Sequence, residues 1–280
     1  MAGWTNAVAA FDKAFAAAIA SSNVTALSEF KARFWMQLIN NPGDIASIAT
    51  TSLATTVQYG PQYNYLFKPT SNSAIISNST INANSATFGL TFLDAICNGI
   101  FLPAFTSPNA TNTQLLEALQ DLTTAYLTSV GAESANDGSI ASLNTVNITD
   151  RTLSNNWFLW DWQFCNEFGY FQVSQNLSDS TQIHTYTNWT VYSQFITVDY
   201  YSWLCETQGL STNGLPNVTY TLKSYNGLNI TTPRIMWVNG DLDPWHWLSN
   251  YNTAPNPTTQ ALILYKNATH CNDIWVYPNL

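Results

Sequence analysis

Asp243 and His270 are the residues of this chain whose types and setting could move a proton in concert. Asp243 lies in Asn239-Gly240-Asp241-Leu242-Asp243-Pro244-Trp245, directly after the apolar run Ile235-Met236-Trp237-Val238. His270 lies in Thr269-His270-Cys271-Asn272-Asp273, after Ala261-Leu262-Ile263-Leu264-Tyr265. An acid at the end of one strand and a histidine after the next is the order of the last two members of a Ser…Asp…His triad. There the carboxylate orients the imidazole, and the imidazole takes the proton of the serine hydroxyl. The serine should sit in a G-x-S-x-G turn between a strand and a helix, because that turn exposes its hydroxyl. None of the twelve glycines lies four residues from another. The expectation is that the serine-bearing segment is outside this chain and that the chain alone is inactive.

The elements that must position the pair are two strands and their loops. The 27 residues separating Asp243 from His270 leave room for a helix after Pro244 and one further strand. Asn239-Gly240 is expected to form a tight turn, because both residues tolerate φ > 0. Other readings of the same residues stay open here. A loop aspartate and a surface histidine would give the same pattern. Asn239-Gly240-Asp241-Leu242-Asp243 offers the alternate oxygens of a calcium loop but lacks its closing glutamate. His184, His246, His270 and Cys271 could be combined into a metal site, but no two histidines stand at i, i+4, and no metal or cofactor is expected.

The apolar fraction of 46% supports a sizeable core, while charged residues make up only 9%. A net charge of −9 argues against nucleic acid or an anionic membrane as partner, since both demand clustered Lys and Arg. Nine Asn-x-Ser/Thr sequons occur, at Asn23, Asn78, Asn109, Asn147, Asn176, Asn188, Asn217, Asn229 and Asn267. With 31 Asn and 58 Ser plus Thr, chance alone gives about six, so the sequons support a secretory route without proving it. Cys97, Cys165, Cys205 and Cys271 contain no C-x-x-C pair, which speaks for disulfides over structural zinc. Two disulfides have three possible connectivities. The N-terminus lacks a basic n-region, and Asp12 and Lys13 interrupt its apolar run; a glycoprotein-like body without an export signal implies a missing N-terminal portion.

The first half reads as helical. Val8, Phe11, Phe15 and Ile19 form one stripe, and Ala26, Phe30, Phe34 and Leu38 a second behind Thr25 as N-cap. Leu115, Leu116, Leu119, Leu122 and Tyr126 form a third behind Thr113. Residues 68–86 read as a surface loop and 131–150 as a linker. Nine of the eleven tryptophans lie from Trp157 onward, where the strand–loop units also fall.

Trp160-Asp161-Trp162-Gln163-Phe164-Cys165-Asn166-Glu167, then Asn239 to Trp245, then His270-Cys271-Asn272-Asp273 resemble a serine peptidase family. Its members include lysosomal Pro-X carboxypeptidase, dipeptidyl peptidase 2 and thymus-specific serine protease, the last type being the nearest. The family's pattern is W-x-x-Q-x-C-[TN]-E, N-G-x-x-D-P-W and H-x-x-D, in that order. The resemblance implies an α/β class: the C-terminal part of an α/β-hydrolase fold, residues 151–280, preceded by its helical cap, residues 1–150. Val57-Gln58-Tyr59 resembles a short motif of that cap. By the same resemblance Asp243 is the triad acid, His270 the base, Trp245 a wall of the pocket for a proline ring, and Glu167 a contact for substrate termini. A local structural ion pair is an equal alternative for Glu167. Cys165 resembles a half-cystine of the family, with Cys97 as its expected partner; pairing of Cys205 with Cys271 stays open. The implied partner is a peptide substrate, with a homodimer in the complete enzyme and a secreted or lysosomal/vacuolar location. The competing expectation is a non-catalytic truncated product, or a secreted binding module.

Overall fold

A computed structural model of the chain describes residues 2–59, 92–99, 102–129, 156–174, 191–211 and 215–273. The loop at 68–86, the linker at 131–150 and the domain division at 150–151 lie outside the described residues, as does His184. The chain forms two compact units: Met1–Ser52 with Tyr65–Pro216, and Leu53–Asn64 with Asn217–Leu280.

The first unit is helical. Its described helices are α1 (Ala2–Ala20), α2 (Val24–Arg33), most of α3 (Pro42–Tyr59), α4 (Phe92–Cys97), α5 (Asn112–Ser129), α6 (Asn156–Gln163) and α7 (Val198–Thr207). On α1, Trp4, Ala7, Val8, Phe11 and Phe15 are buried, the spacing of one helical face, and α1 packs on α5. Phe11 meets Phe30 at 5.4 Å and Phe34 at 5.3 Å, both edge-on, and Phe15 stacks on Phe30 at 5.0 Å. Ile19 and Leu38, expected in these stripes, are exposed, because α1 ends at Ala20 and α2 at Arg33. The caps also differ from expectation. Asn23, not Thr25, caps α2 by accepting from the Thr25 amide. Thr111, not Thr113, caps α5: its hydroxyl accepts from the Gln114 amide while Gln114 Oε1 accepts from the Thr111 amide, a reciprocal capping box.

Asp12 is buried because it has a structural task. Its carboxylate accepts from the Ser193 hydroxyl and, at 2.9 Å, from the Gln194 amide. Asp44 on α3 likewise accepts from the Tyr200 hydroxyl at 2.9 Å. The two carboxylates tie residues 193–200 to α1 and α3.

Cys165 sits in a π-helical turn (Phe164–Phe168) that follows α6, closed by the Gly169 amide on the Phe164 carbonyl. It is bonded to Cys205 on α7, with Cα atoms 5.6 Å apart. This corrects the expected Cys97–Cys165 pair: Cys165 and Cys205 are buried in one cluster with Leu210, whereas Cys97 is an exposed free thiol. Cys271 is also free, so the Cys205–Cys271 alternative fails with it.

The second unit holds the last turns of α3, α8 (Val218–Tyr225), and two strands, β1 (Met236–Gly240) and β2 (Ala261–Tyr265). The strands fall on the two apolar runs read from sequence. They pair in parallel, Met236 opposite Ala261 and Gly240 opposite Tyr265. In place of a full helix after Pro244, the connection contains one 3-10 segment, Pro244–Leu248. Gln260 braces the start of the sheet: its amide nitrogen donates to the carbonyls of Ile230 and Thr232, and its oxygen accepts from the Trp237 indole.

Two predictions follow from the first unit. Replacing Cys165 and Cys205 with alanine should lower stability by about 2–4 kcal/mol in urea unfolding, because their bond closes a long loop; alkylation of the native protein should mark Cys97 and spare both. Burial also raises the carboxyls of Asp12 and Asp44 above their usual range and pushes Asp161 up to about 6. Groups whose folded pKa is raised contribute stability that is complete below the unfolded value, 3.8, and lost as pH climbs through the folded one. The unfolding midpoint should therefore fall between pH 4 and pH 7; a midpoint that rose would contradict this account.

Candidate active site

Asp243 leaves the end of β1, and His270 follows β2 by five residues. The loops are locked together just before the two residues appear. The Asp241 amide donates to the Tyr265 carbonyl at 3.0 Å, and the Leu242 amide to the Ala268 carbonyl at 3.0 Å. This ladder continues the strand register past the sheet. It brings Asp243 Oδ2 within 2.8 Å of His270 Nδ1.

Gly240 makes the approach possible. A Cβ there would stand 2.3 Å from the Ala268 carbonyl oxygen, inside any real contact. The reason expected from sequence, a positive φ at Asn239-Gly240, is not the one found: neither residue has it. Glycine is needed for close passage of the two backbones. Asn239 is buried and donates to the Asn250 carbonyl at 2.9 Å, which fixes the far end of the connection.

Both carboxylate oxygens of Asp243 are committed. Oδ2 faces His270, while Oδ1 accepts from the Trp245 amide at 2.8 Å and caps the 3-10 turn. Such double acceptance fixes the direction of the carboxylate. When Nδ1–H of His270 donates to this carboxylate, Nε2 presents its lone pair. The His270 side chain is 28% exposed and that of Asp243 11%. The base can reach a reactant while the acid behind it is shielded.

His246, unremarked as a partner in the sequence, is buried beneath the acid. Its ring Nδ1 lies 2.5 Å from the Asp243 carbonyl and its ring packs against Trp247 and Tyr251. Its role is to brace the Asp243 backbone. Trp245 is half-buried in the same turn. Glu167 is half-buried in the π-helical turn of the first unit. The sequons at Asn23, Asn109, Asn217, Asn229 and Asn267 are exposed; Asn78, Asn147, Asn176 and Asn188 lie outside the described residues. Among the described residues no serine is hydrogen-bonded to His270 Nε2, no cluster of His, Cys, Asp or Glu could hold a metal, and no helix is long and apolar enough to cross a membrane.

An imidazole held by a shielded carboxylate, both presented beyond the carboxyl ends of parallel strands, is an arrangement that could transfer a proton. The model of the serine carboxypeptidase S28 family matches residues 62–278, and the chain belongs to that family, which has an α/β-hydrolase-type fold. It is 30% identical to a serine protease of Bipolaris victoriae over 157 residues, 49% of this chain and 28% of that protein. It is also 30% identical to the thymus-specific serine protease of Mus musculus over 117 residues, 41% and 20%. A protein of Arthroderma benhamiae described as a probable extracellular serine carboxypeptidase is 30% identical over 128 residues, 44% and 17%. The chain thus matches less than a third of the length of each of these relatives.

Gly240→Ala should be disproportionately costly for one methyl group. The forced separation of the Ala268 carbonyl should lower stability by about 1–3 kcal/mol in thermal or urea unfolding. A neutral result would show that the two backbones can part without cost.

Proposed function

We propose that this chain supplies the acid and the base of a serine exopeptidase that cleaves next to proline. The observation that carries the reading is the 2.8 Å contact of His270 Nδ1 with Asp243 Oδ2. In the reaction, a serine hydroxyl passes its proton to His270 Nε2 as its oxygen attacks the scissile carbonyl. The tetrahedral intermediate collapses, the leaving amine takes the proton from Nε2, and an acyl-enzyme remains. Water repeats the cycle and frees the acid product. Asp243 stays ionised throughout and stabilises the imidazolium.

The serine comes from outside residues 1–280, because these residues contain no G-x-S-x-G turn. Trp245, in the same turn as Asp243, offers a flat wall suited to a proline ring. In this reading residues 1–150 belong to the helical cap, while the compact helical unit reaches to Pro216 and Leu53–Asn64 join the second unit. The enzyme works as a homodimer in a secretory, extracellular or lysosomal compartment; the exposed sequons and the name of the Arthroderma relative support that location.

A second reading has its own support. The β1–β2 pair leaves Met236 60%, Tyr265 49% and Leu264 40% exposed. Parallel sheets are ordinarily covered on both faces and contain more than two strands. An exposed pair of this kind would bind further strands, so the chain by itself would be a non-catalytic, association-prone product.

A fluorophosphonate probe separates the two readings. It should label a version of the protein extended upstream and leave the 280-residue chain unlabelled. In the extended form Asp243→Asn should cut the labelling rate by about 10⁴-fold, as expected when the imidazole adopts the wrong tautomer. Labelling of the 280-residue chain would place a nucleophile within it. Equal labelling of the extended wild type and His270→Ala would refute the role of His270.

A further inference from the structure

The end of α3 grips the histidine loop at three points. The carbonyl of Gln58 accepts from the His270 backbone amide at 2.9 Å. The carbonyl of Tyr59 accepts from the Thr269 hydroxyl at 3.2 Å. The ring of Tyr59 meets the imidazole of His270 edge-on, centroids 5.7 Å apart and planes at 70°. The last four carbonyls of a helix have no partner within it. Here two of them are satisfied by the segment that carries the base, so the loop caps the helix and the helix fixes the loop. The grip matters because Cys271, the next residue, has φ of 59°. A non-glycine residue holds that conformation only where its surroundings enforce it.

We propose that Tyr59 is a positioning residue for His270. Its ring packs edge-on against the imidazole, so that the direction of Nε2 is set by two contacts, one polar and one aromatic. The hydrogen bond to Asp243 fixes one ring nitrogen but permits the imidazole to swing about it. The aromatic edge removes that freedom. The carbonyl pole at the end of α3 is also a favourable neighbour for the imidazolium that forms when Nε2 accepts a proton. The inference rests on the reading of His270 as a base, but its test does not require turnover.

The chain has three histidines, so the His270 ring can be assigned by substituting the other two singly. Nitrogen-15 imidazole NMR of the 280-residue chain at neutral pH should show one Nδ1–H tautomer with a slowly exchanging proton. Tyr59→Leu should mix the tautomers and speed exchange of that proton by about two- to tenfold, the range of an aromatic edge contact. Tyr59→Phe should restore the wild-type spectrum. If Tyr59→Leu fails to fold, Thr269→Val, which removes the hydroxyl bond to the Tyr59 carbonyl and leaves the ring, should give a smaller change of the same kind. A folded Tyr59→Leu with the wild-type tautomer and exchange rate would overturn the proposal, as would a Tyr59→Phe spectrum matching that of Tyr59→Leu. Failure of the catalytic reading would appear elsewhere, as equal probe labelling of the extended wild type and its His270→Ala variant.

Discussion

An acid and a base on different loops can share a proton only if the backbones that carry them cannot drift. In this chain the restraint is the passage of Gly240 beneath the Ala268 carbonyl, where no Cβ would fit. Because that passage is tight, the Leu242 amide reaches the same carbonyl, and the parallel register of β1 and β2 persists into both loops. The 2.8 Å contact of Asp243 with His270 is a consequence of that register. Residues around it act on the same geometry: Trp245 holds the carboxylate by its amide, His246 holds the carbonyl behind it, and Gln58 and Tyr59 hold the loop from the other side. The division of exposure between base and acid follows, since a carboxylate fixed from several directions loses access to water while the imidazole at the rim keeps it.

The first unit solves a different problem with similar means. With 9% charged residues, the chain has few groups from which to build ion pairs. Its helical unit instead joins distant segments through single buried carboxylates that accept neutral donors. Asp12 receives the Ser193 hydroxyl and the Gln194 amide, and Asp44 receives the Tyr200 hydroxyl. Burial without a cation raises the pKa of such a group, so its fit to the fold improves as the medium becomes acidic.

The sequence made the site more legible than the scaffold around it. Two apolar runs, each ending in a polar cluster with one functional residue, were sufficient to locate both strands and both members of the pair. Helix α3 was not visible, although it anchors His270. Its residues, Pro42 to Tyr59, are mostly small or β-branched, and its buried face mixes only Ile45, Ile48 and Leu53 with Ala46 and Ala49, a weak stripe. The signals present were Pro42 and Asp44 in the first turn and the Val57-Gln58-Tyr59 resemblance at the end. The disulfide was misassigned because connectivity depends on which helices meet, and cysteine spacing does not encode that. Gly240 was recognised but for a different reason: a glycine needed for close approach and one needed for a left-handed turn look alike in sequence.

Among the described residues, Asp243 with His270 is the one side-chain pair of acid and base within ion-pair distance. No lysine or arginine is paired with a carboxylate there. The electrostatics at His270 are therefore set by its immediate neighbours, with little competition from distant cations, and interactions beyond a Debye length are screened in any case. Those neighbours are an ionised carboxylate and the carbonyl end of an 18-residue helix. In the proposed reading, a histidine held between these two groups takes and returns a proton while bonds elsewhere are made and broken. The scarcity of other charges means that this field comes from residues close to the ring, and that losing one of them would leave little to replace it.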